Sequence, residues 1–167
     1  MVYKNINIYQ MSFTNINEND NFITNIENWE LIKKYIPNDK KIWSPFYCNG
    51  AQKDYFKELG YDIIHEDEDF FENDKGEIII DNPPFGNLRN ILTRLKELNK
   101  PFIMIMPSAK INAVWFQKLF RDHLQLIIPI KKLAFTNNNP DIKFNFNWGI
   151  YFYCWKMNLP KDLIFID

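Results

Sequence analysis

The chain predicts an α/β fold, with a mostly parallel sheet, helices on both faces and an antiparallel hairpin at one edge. Three observations carry this expectation. The stretches "PFIMIMP" (residues 101–107) and "LQLIIPI" (124–130) are almost continuously apolar, as strands covered on both faces must be. Around them lie segments with apolar residues at helical spacing, such as Leu88, Ile91, Leu92, Leu95 and Leu98. After them, "FNFNWGIYFYCWKM" reads as a late strand with no helix before it and "DLIFID" as a last strand, both of which an edge hairpin accommodates.

Each element follows in order. Residues 1–20 are polar and Asn-rich and predict an extended arm. "NIENWELIKKYI" puts Ile26, Trp29, Ile32 and Ile36 on one helical face, with Asn25 as cap and Pro37 as stop. "KKIWSPFY" is a short strand ended by Pro45, and "GAQKDYFKELG" a helix that buries Tyr55, Phe56 and Leu59 and stops at Gly60. "YDIIHED" and "GEIIIDNPP" are strands that both end at acids, and "AVWFQKLFRDHL" is a helix with His123 in its last turn, where the dipole favours a cation. Strands alternating with helices in this way build a parallel sheet.

Composition narrows the classes. The 167 residues fit a single domain, 1–167, with no repeat, linker or separate target-recognition domain. A net charge of −1 excludes a wholly basic nucleic-acid coat, though not a local basic face. Cys48 and Cys154 are too few for a disulfide framework or, alone, a zinc site. No apolar run approaches the roughly 20 residues of a membrane span, so the expectation is a cytoplasmic protein without a membrane partner and without a bound metal.

In an open α/β sheet, ligands bind beyond the carboxyl ends of the strands. The tip "DNPPF", Asp81 to Phe85, is the most specific of those ends. Two prolines remove two backbone donors and fix the surrounding carbonyls outward. Asn82 adds a side-chain acceptor and Phe85 a flat apolar face, which together form a receptor for a planar group bearing an amine. Asp81 reads either as a charge acceptor or as a strand-end cap. The tip "SPFYCNG" has too few glycines to be a phosphate cradle, and "HEDEDFF" offers acids able to hold ribose hydroxyls. His65 reads as a cofactor contact or as a surface tip.

These residues resemble the S-adenosylmethionine-dependent adenine-N6 (amino-) methyltransferases, in particular small members of phage or viral type. Asn82, Pro83, Pro84 and Phe85 match that family's Asp/Asn/Ser-Pro-Pro-Tyr/Phe motif, after an apolar strand and before a helix as in the family. Pro45, Phe46 and Gly50 match its cofactor loop, where Ser44 stands for an acid and Cys48 for a glycine. Phe22 and Thr24 match the segment beside the methionine moiety, Asp67 the ribose-binding acid with Glu66 as competitor, and Asp69 and Phe70 the segment along the cofactor adenine. The likeness runs from about Phe22 to Trp155.

It implies a Rossmann-like class I methyltransferase sheet and the cofactor S-adenosylmethionine. The implied reaction moves a methyl group to the exocyclic amine of adenine in DNA or RNA, with the Asn82 side chain and the Pro83 carbonyl accepting the amine protons. Phe85 would stack on the base. A second ring is expected from the tail, Phe144 being favoured over Phe146 and Trp148, and Lys131, Lys132 and Lys143 flank that region near phosphate. A second subunit could supply target recognition. Two other readings stay open: an inactive methyltransferase-like subunit that binds nucleic acid or a partner, which the altered cofactor loop motivates, and methylation of another planar amine, cytosine N4 or a protein glutamine.

Overall fold

A computed structural model describes residues 22–137 and 149–167. The chain is α/β, with four α-helices and nine strands among those residues. In chain order they are β1 (Phe22–Thr24), α1 (Ile26–Ile32), β2 (Ile42–Trp43), α2 (Gln52–Glu58), β3 (Ile63–Ile64), β4 (Ile78–Asp81), α3 (Leu88–Leu98), β5 (Phe102–Pro107), α4 (Val114–Phe120), β6 (Leu124–Pro129), β7 (Phe135–Asn137), β8 (Ile150–Trp155) and β9 (Leu163–Ile166). Seven strands form one sheet in the order β3-β2-β4-β5-β8-β6-β9, and β1 with β7 makes a separate antiparallel pair.

The large sheet is parallel except at β8, which runs antiparallel to both β5 and β6. Its residues explain the arrangement. Ile150, Phe152 and Cys154 pack into one core and Tyr153 and Trp155 into the other, so both faces need cover. Such a strand belongs inside a sheet. In β9, by contrast, Ile164 and Ile166 are buried while Leu163 and Phe165 are exposed, the alternation of a strand covered on one face. The expected antiparallel hairpin at the edge is therefore corrected: β8 lies between β5 and β6, and β9 holds the edge alone, parallel to β6.

Two apolar layers sandwich the sheet. Trp29 and Ile32 of α1 and Phe56 of α2 pack on one side against Ile42, Ile80, Ile103 and Phe152. Leu88, Leu92 and Leu95 of α3, with Phe116 and Phe120 of α4, pack on the other against Ile79, Met104, Tyr153 and Trp155. Phe120 and Phe102 meet edge to face at 5.2 Å between ring centroids, a geometry that adds about 1 kcal/mol beyond area burial.

Local signals were met unevenly. Gly60 ends α2 with φ of 90°, and Asn99 ends α3 with φ of 57°, both left-handed stops. Asn25 stands at the start of α1, but its side chain does not cap the helix; its Oδ1 instead accepts the Thr136 hydroxyl at 3.3 Å. His123 lies beyond the end of α4 with φ of 67°, so the expectation of a last-turn helical residue is corrected: the chain reverses there to enter β6. The arm expected over residues 1–20 lies outside the described residues.

Candidate binding site at the carboxyl ends of β2 and β4

The chain leaves β2 through α2 to β3 on one side, then returns past β2 to β4 on the other. That reversal opens a crevice beyond the carboxyl ends of β2 and β4, where open α/β sheets take their ligands. β2 delivers Ser44, Pro45 and Phe46 to it, and β4 delivers Asp81 and the Asn-Pro-Pro-Phe tip.

One carboxylate ties the two tips together. Asp81 is 1% exposed, and its Oδ2 accepts the Ser44 hydroxyl at 2.9 Å and the Phe46 N–H at 2.7 Å. Its Oδ1 accepts the Asn82 N–H at 2.7 Å and the Gln52 amide at 3.2 Å. Burial pushes the Asp81 carboxyl up to about 7, outweighing the four donors that favour its charged form. Of the two roles open for Asp81, the strand-end cap is the one its contacts describe. Ser44, in turn, is fully buried and accepts Gln52 Nε2 at 2.7 Å, so it braces the loop from beneath.

Above this brace lies a cavity of about 380 Å³. Its walls bring together Phe22, Pro45, Phe46, Asp67, Asp69, Phe70, Asn82, Pro83, Pro84 and Phe85. Residues from four separate stretches of sequence thus meet in one space of ligand size. Thr24 lies beside it, lining a hollow of about 20 Å³ with Asp81 and Asn82. Gly50 does not line the cavity; it sits under Tyr47 with φ of 79°, where an added Cβ would come within 2.7 Å of the Tyr47 hydroxyl. Ser44 does not reach the cavity either, and Phe144 falls outside the described residues, as do Lys143, Phe146 and Trp148.

The acids sort themselves by their partners. Glu66 pairs with Lys75 at 2.7 Å, which holds its carboxyl below the usual range, and it does not line the cavity. Glu68 also pairs with Lys75, and Asp69 Oδ1 accepts the Phe71 N–H at 2.8 Å. Asp67 is left as the lining acid with no partner among the described residues. Beside it Phe70 and Phe46 meet at 5.1 Å, tilted by 53°, and give the wall a broad apolar surface.

Two buried polar atoms here lack a hydrogen-bond partner in the described structure: Asn82 Oδ1 and Thr24 Oγ1. Leaving an acceptor buried and unpaired costs about 1–3 kcal/mol, so each of these oxygens calls for a partner that the protein itself does not supply. Asn82 is half-buried while its neighbours Pro83 and Phe85 are buried, so the amide stands on a rigid base. Phe85 is 8% exposed and borders the cavity with a small part of its ring.

The wall also contains Tyr47, which sequence reasoning passed over, and Cys48, which it read as standing in place of a loop glycine; Cys48 takes φ of 50° in the left-handed region, with its thiol raised by burial. Glycine is the usual occupant of such a position. His65 is 2% exposed and does not line the cavity; its Nδ1 bonds the Ser44 carbonyl at 2.8 Å and its ring stacks on Tyr47 at 5.1 Å. It is neither surface tip nor cavity wall but a wedge beneath Tyr47, its pKa lowered by burial. Phe22 and Thr24 owe their place to β1–β7 pairing, which Asn28 locks by giving its amide to the Ala134 carbonyl at 2.6 Å and taking the Ala134 N–H at 2.9 Å.

Among the described residues no group of His, Cys, Asp and Glu is placed to hold a metal ion, and no helix is long and apolar enough to cross a membrane. No protein-family model matches the chain, and no curated protein is found to be similar to it.

Proposed function

We propose that this chain is a Rossmann-like, S-adenosylmethionine-dependent methyltransferase acting on the exocyclic amine of adenine in DNA or RNA. The observation that carries the reading is the orphaned Asn82 Oδ1 beside Pro83, Pro84 and Phe85 on the wall of the cavity at the β2/β4 reversal.

The residues present fit the cofactor. Asp67, the acid without a partner among the described residues, is the group to receive its ribose hydroxyls. Phe46 and Phe70 offer the apolar wall for its adenine, and Phe22 and Thr24 border the methionine end. When bound, S-adenosylmethionine supplies a methyl group carried on a sulfonium.

The chain's own residues do the rest by orientation. The adenine amine is a weak nucleophile because its lone pair is shared with the ring. Asn82 Oδ1 and the Pro83 carbonyl take its two protons as hydrogen bonds, pulling the nitrogen toward tetrahedral geometry and freeing the pair. The same acceptors face the positive charge that grows on nitrogen, a preorganised stabilisation that needs no strong base. Asp81 holds both tips in register from below and remains out of reach of the substrate.

Labelled cofactor offered with separate DNA, RNA and protein pools tests this. The expected product is N6-methyladenine in nucleosides from DNA or RNA, abolished by Asn82→Ala; full activity in that variant would refute the assignment. Label on cytosine N4 or on glutamine would move the substrate, not the site.

Cys48, a side chain in a left-handed position on the cofactor loop, favours a second reading as a non-catalytic subunit that binds nucleic acid or a partner. Calorimetric titration separates the two, since absence of binding at millimolar S-adenosylmethionine leaves only the second.

A further inference from the structure

The loop between β3 and β4 carries an inference that rests on the methyltransferase reading and concerns how its ribose acid is chosen. Residues 66–69 read Glu-Asp-Glu-Asp, four carboxylates in a row just past β3. Like charges this close repel one another, and each is able to accept from a hydroxyl. The geometry of the loop resolves the competition.

Asp67 stands at the apex of a three-residue turn, closed by the Glu68 N–H donating to the Glu66 carbonyl at 3.0 Å. Turns of this size are common at strand ends. The two residues flanking the apex give their carboxylates to one ammonium: Lys75 Nζ pairs with Glu66 at 2.7 Å and also with Glu68. Asp69 already accepts the Phe71 N–H at 2.8 Å. Asp67 lines the cavity and has no partner among the described residues.

Lys75 is itself held in place. Lys100, just before β5, donates to the Lys75 carbonyl at 3.1 Å and the Gly76 carbonyl at 2.8 Å, and it pairs with Asp74. Two residues after Lys75, the Glu77 N–H donates to the Lys41 carbonyl at 2.8 Å, beside β2. The ammonium therefore hangs from a backbone fastened to the sheet on two sides, whereas the Glu66 and Glu68 side chains are 51% and 42% exposed. Ion pairs so exposed contribute little to stability. What they give this loop is direction.

We infer that Lys75 is the positioning residue for the ribose: by holding Glu66 and Glu68 it leaves Asp67 as the acid that receives the hydroxyls, and so sets the preference of the site for a hydroxylated sugar. Without this ammonium the four carboxylates spread apart, the turn opens, and Glu68, which also borders the cavity, competes with Asp67.

Calorimetric titration with S-adenosylmethionine and with an analogue lacking both ribose hydroxyls tests this. Lys75→Met is expected to weaken the first about tenfold, the equivalent of one charged hydrogen bond, and to leave the second unchanged. Lys75→Arg, whose fork reaches two carboxylates, restores the parent affinity. In an Asp67→Ala background, Lys75→Met has no further effect. On the free chain, amide exchange at Glu68 quickens in Lys75→Met while the denaturation midpoint stays put. Unchanged affinity for S-adenosylmethionine, equal loss of both ligands, the same loss in the Asp67→Ala background, or unchanged exchange at Glu68 would overturn the role of Lys75 alone. A parent chain that binds neither ligand at millimolar concentration overturns the methyltransferase reading, and this role with it.

Discussion

The buried carboxylate of Asp81 accepts the hydroxyl of Ser44 at 2.9 Å, and through this contact the tip of β4 is fastened to the tip of β2. Asp81→Asn replaces an acceptor of four donors with a group that has one acceptor oxygen and two donors of its own. The expected loss is about 3 kcal/mol in urea denaturation, because several donors are left unpaired in a buried place. Ser44→Ala removes only one of them and should cost about 1 kcal/mol. Equal costs for the two would contradict the hub.

The same carboxyl gives stability a pH dependence of definite sign. Burial raises its folded value to about 7 from the ordinary aspartate value of 3.8, so between those limits the folded state holds a proton that the unfolded state has released. Folding stability contributed by this group is therefore greatest below pH 4, falls as pH rises, and levels off above about 7. Comparing denaturation midpoints of the parent and Asp81→Asn across this window isolates it: the difference between them should vary with pH in this sense and flatten above 7.

Cys48 holds a left-handed backbone with a side chain at the cavity wall. Cys48→Gly relieves about 1–2 kcal/mol of backbone strain and gives back about 0.5–1 kcal/mol through the freer unfolded chain. Stability should thus rise by no more than about 1.5 kcal/mol, while affinity for S-adenosylmethionine rises. Unchanged or weaker affinity in calorimetry would show that the thiol does not crowd the loop.

Asn28 clamps Ala134 by two hydrogen bonds and so holds β7, its partner β1, and the Phe22 wall. Asn28→Ala should cost about 2 kcal/mol for the two bonds. Amide exchange is expected to speed up at residues 134–136 and 22–24 while β4 and β5 stay protected. Uniform loss of protection would mean that Asn28 serves the main core instead.

The parts of this fold written locally could be read from the sequence. The apolar runs of β5 and β6, the stripe of α3 and the stop at Gly60 each depend on neighbours within a few residues. The strand tips were legible too, because Pro83 and Pro84 announce a fixed polar end wherever the strand is placed. Pairing across long separations was not. β1 meets β7 and β8 slips between β5 and β6 for reasons that lie in partners far along the chain. Ser44 was expected to contact a cofactor and is found buried beneath the cavity, since its place depends on Asp81, 37 positions away. Asp67 could not be separated from Glu66 until Lys75 was seen to occupy the latter.

The place of β8 also sets a timetable. β5 and β6 follow each other in the chain, as strands that usually pair directly, yet here each bonds to β8 and not to the other. During synthesis the half-sheet β3-β2-β4-β5 has all its strands once residue 107 has emerged, whereas β6 must wait for residues 150–155. Non-local closure of this kind is slow relative to local pairing. Truncating the core of β8, as in Phe152→Ala, would therefore retard refolding of the β6–β9 half most of all, and the strand acts as the keystone set last.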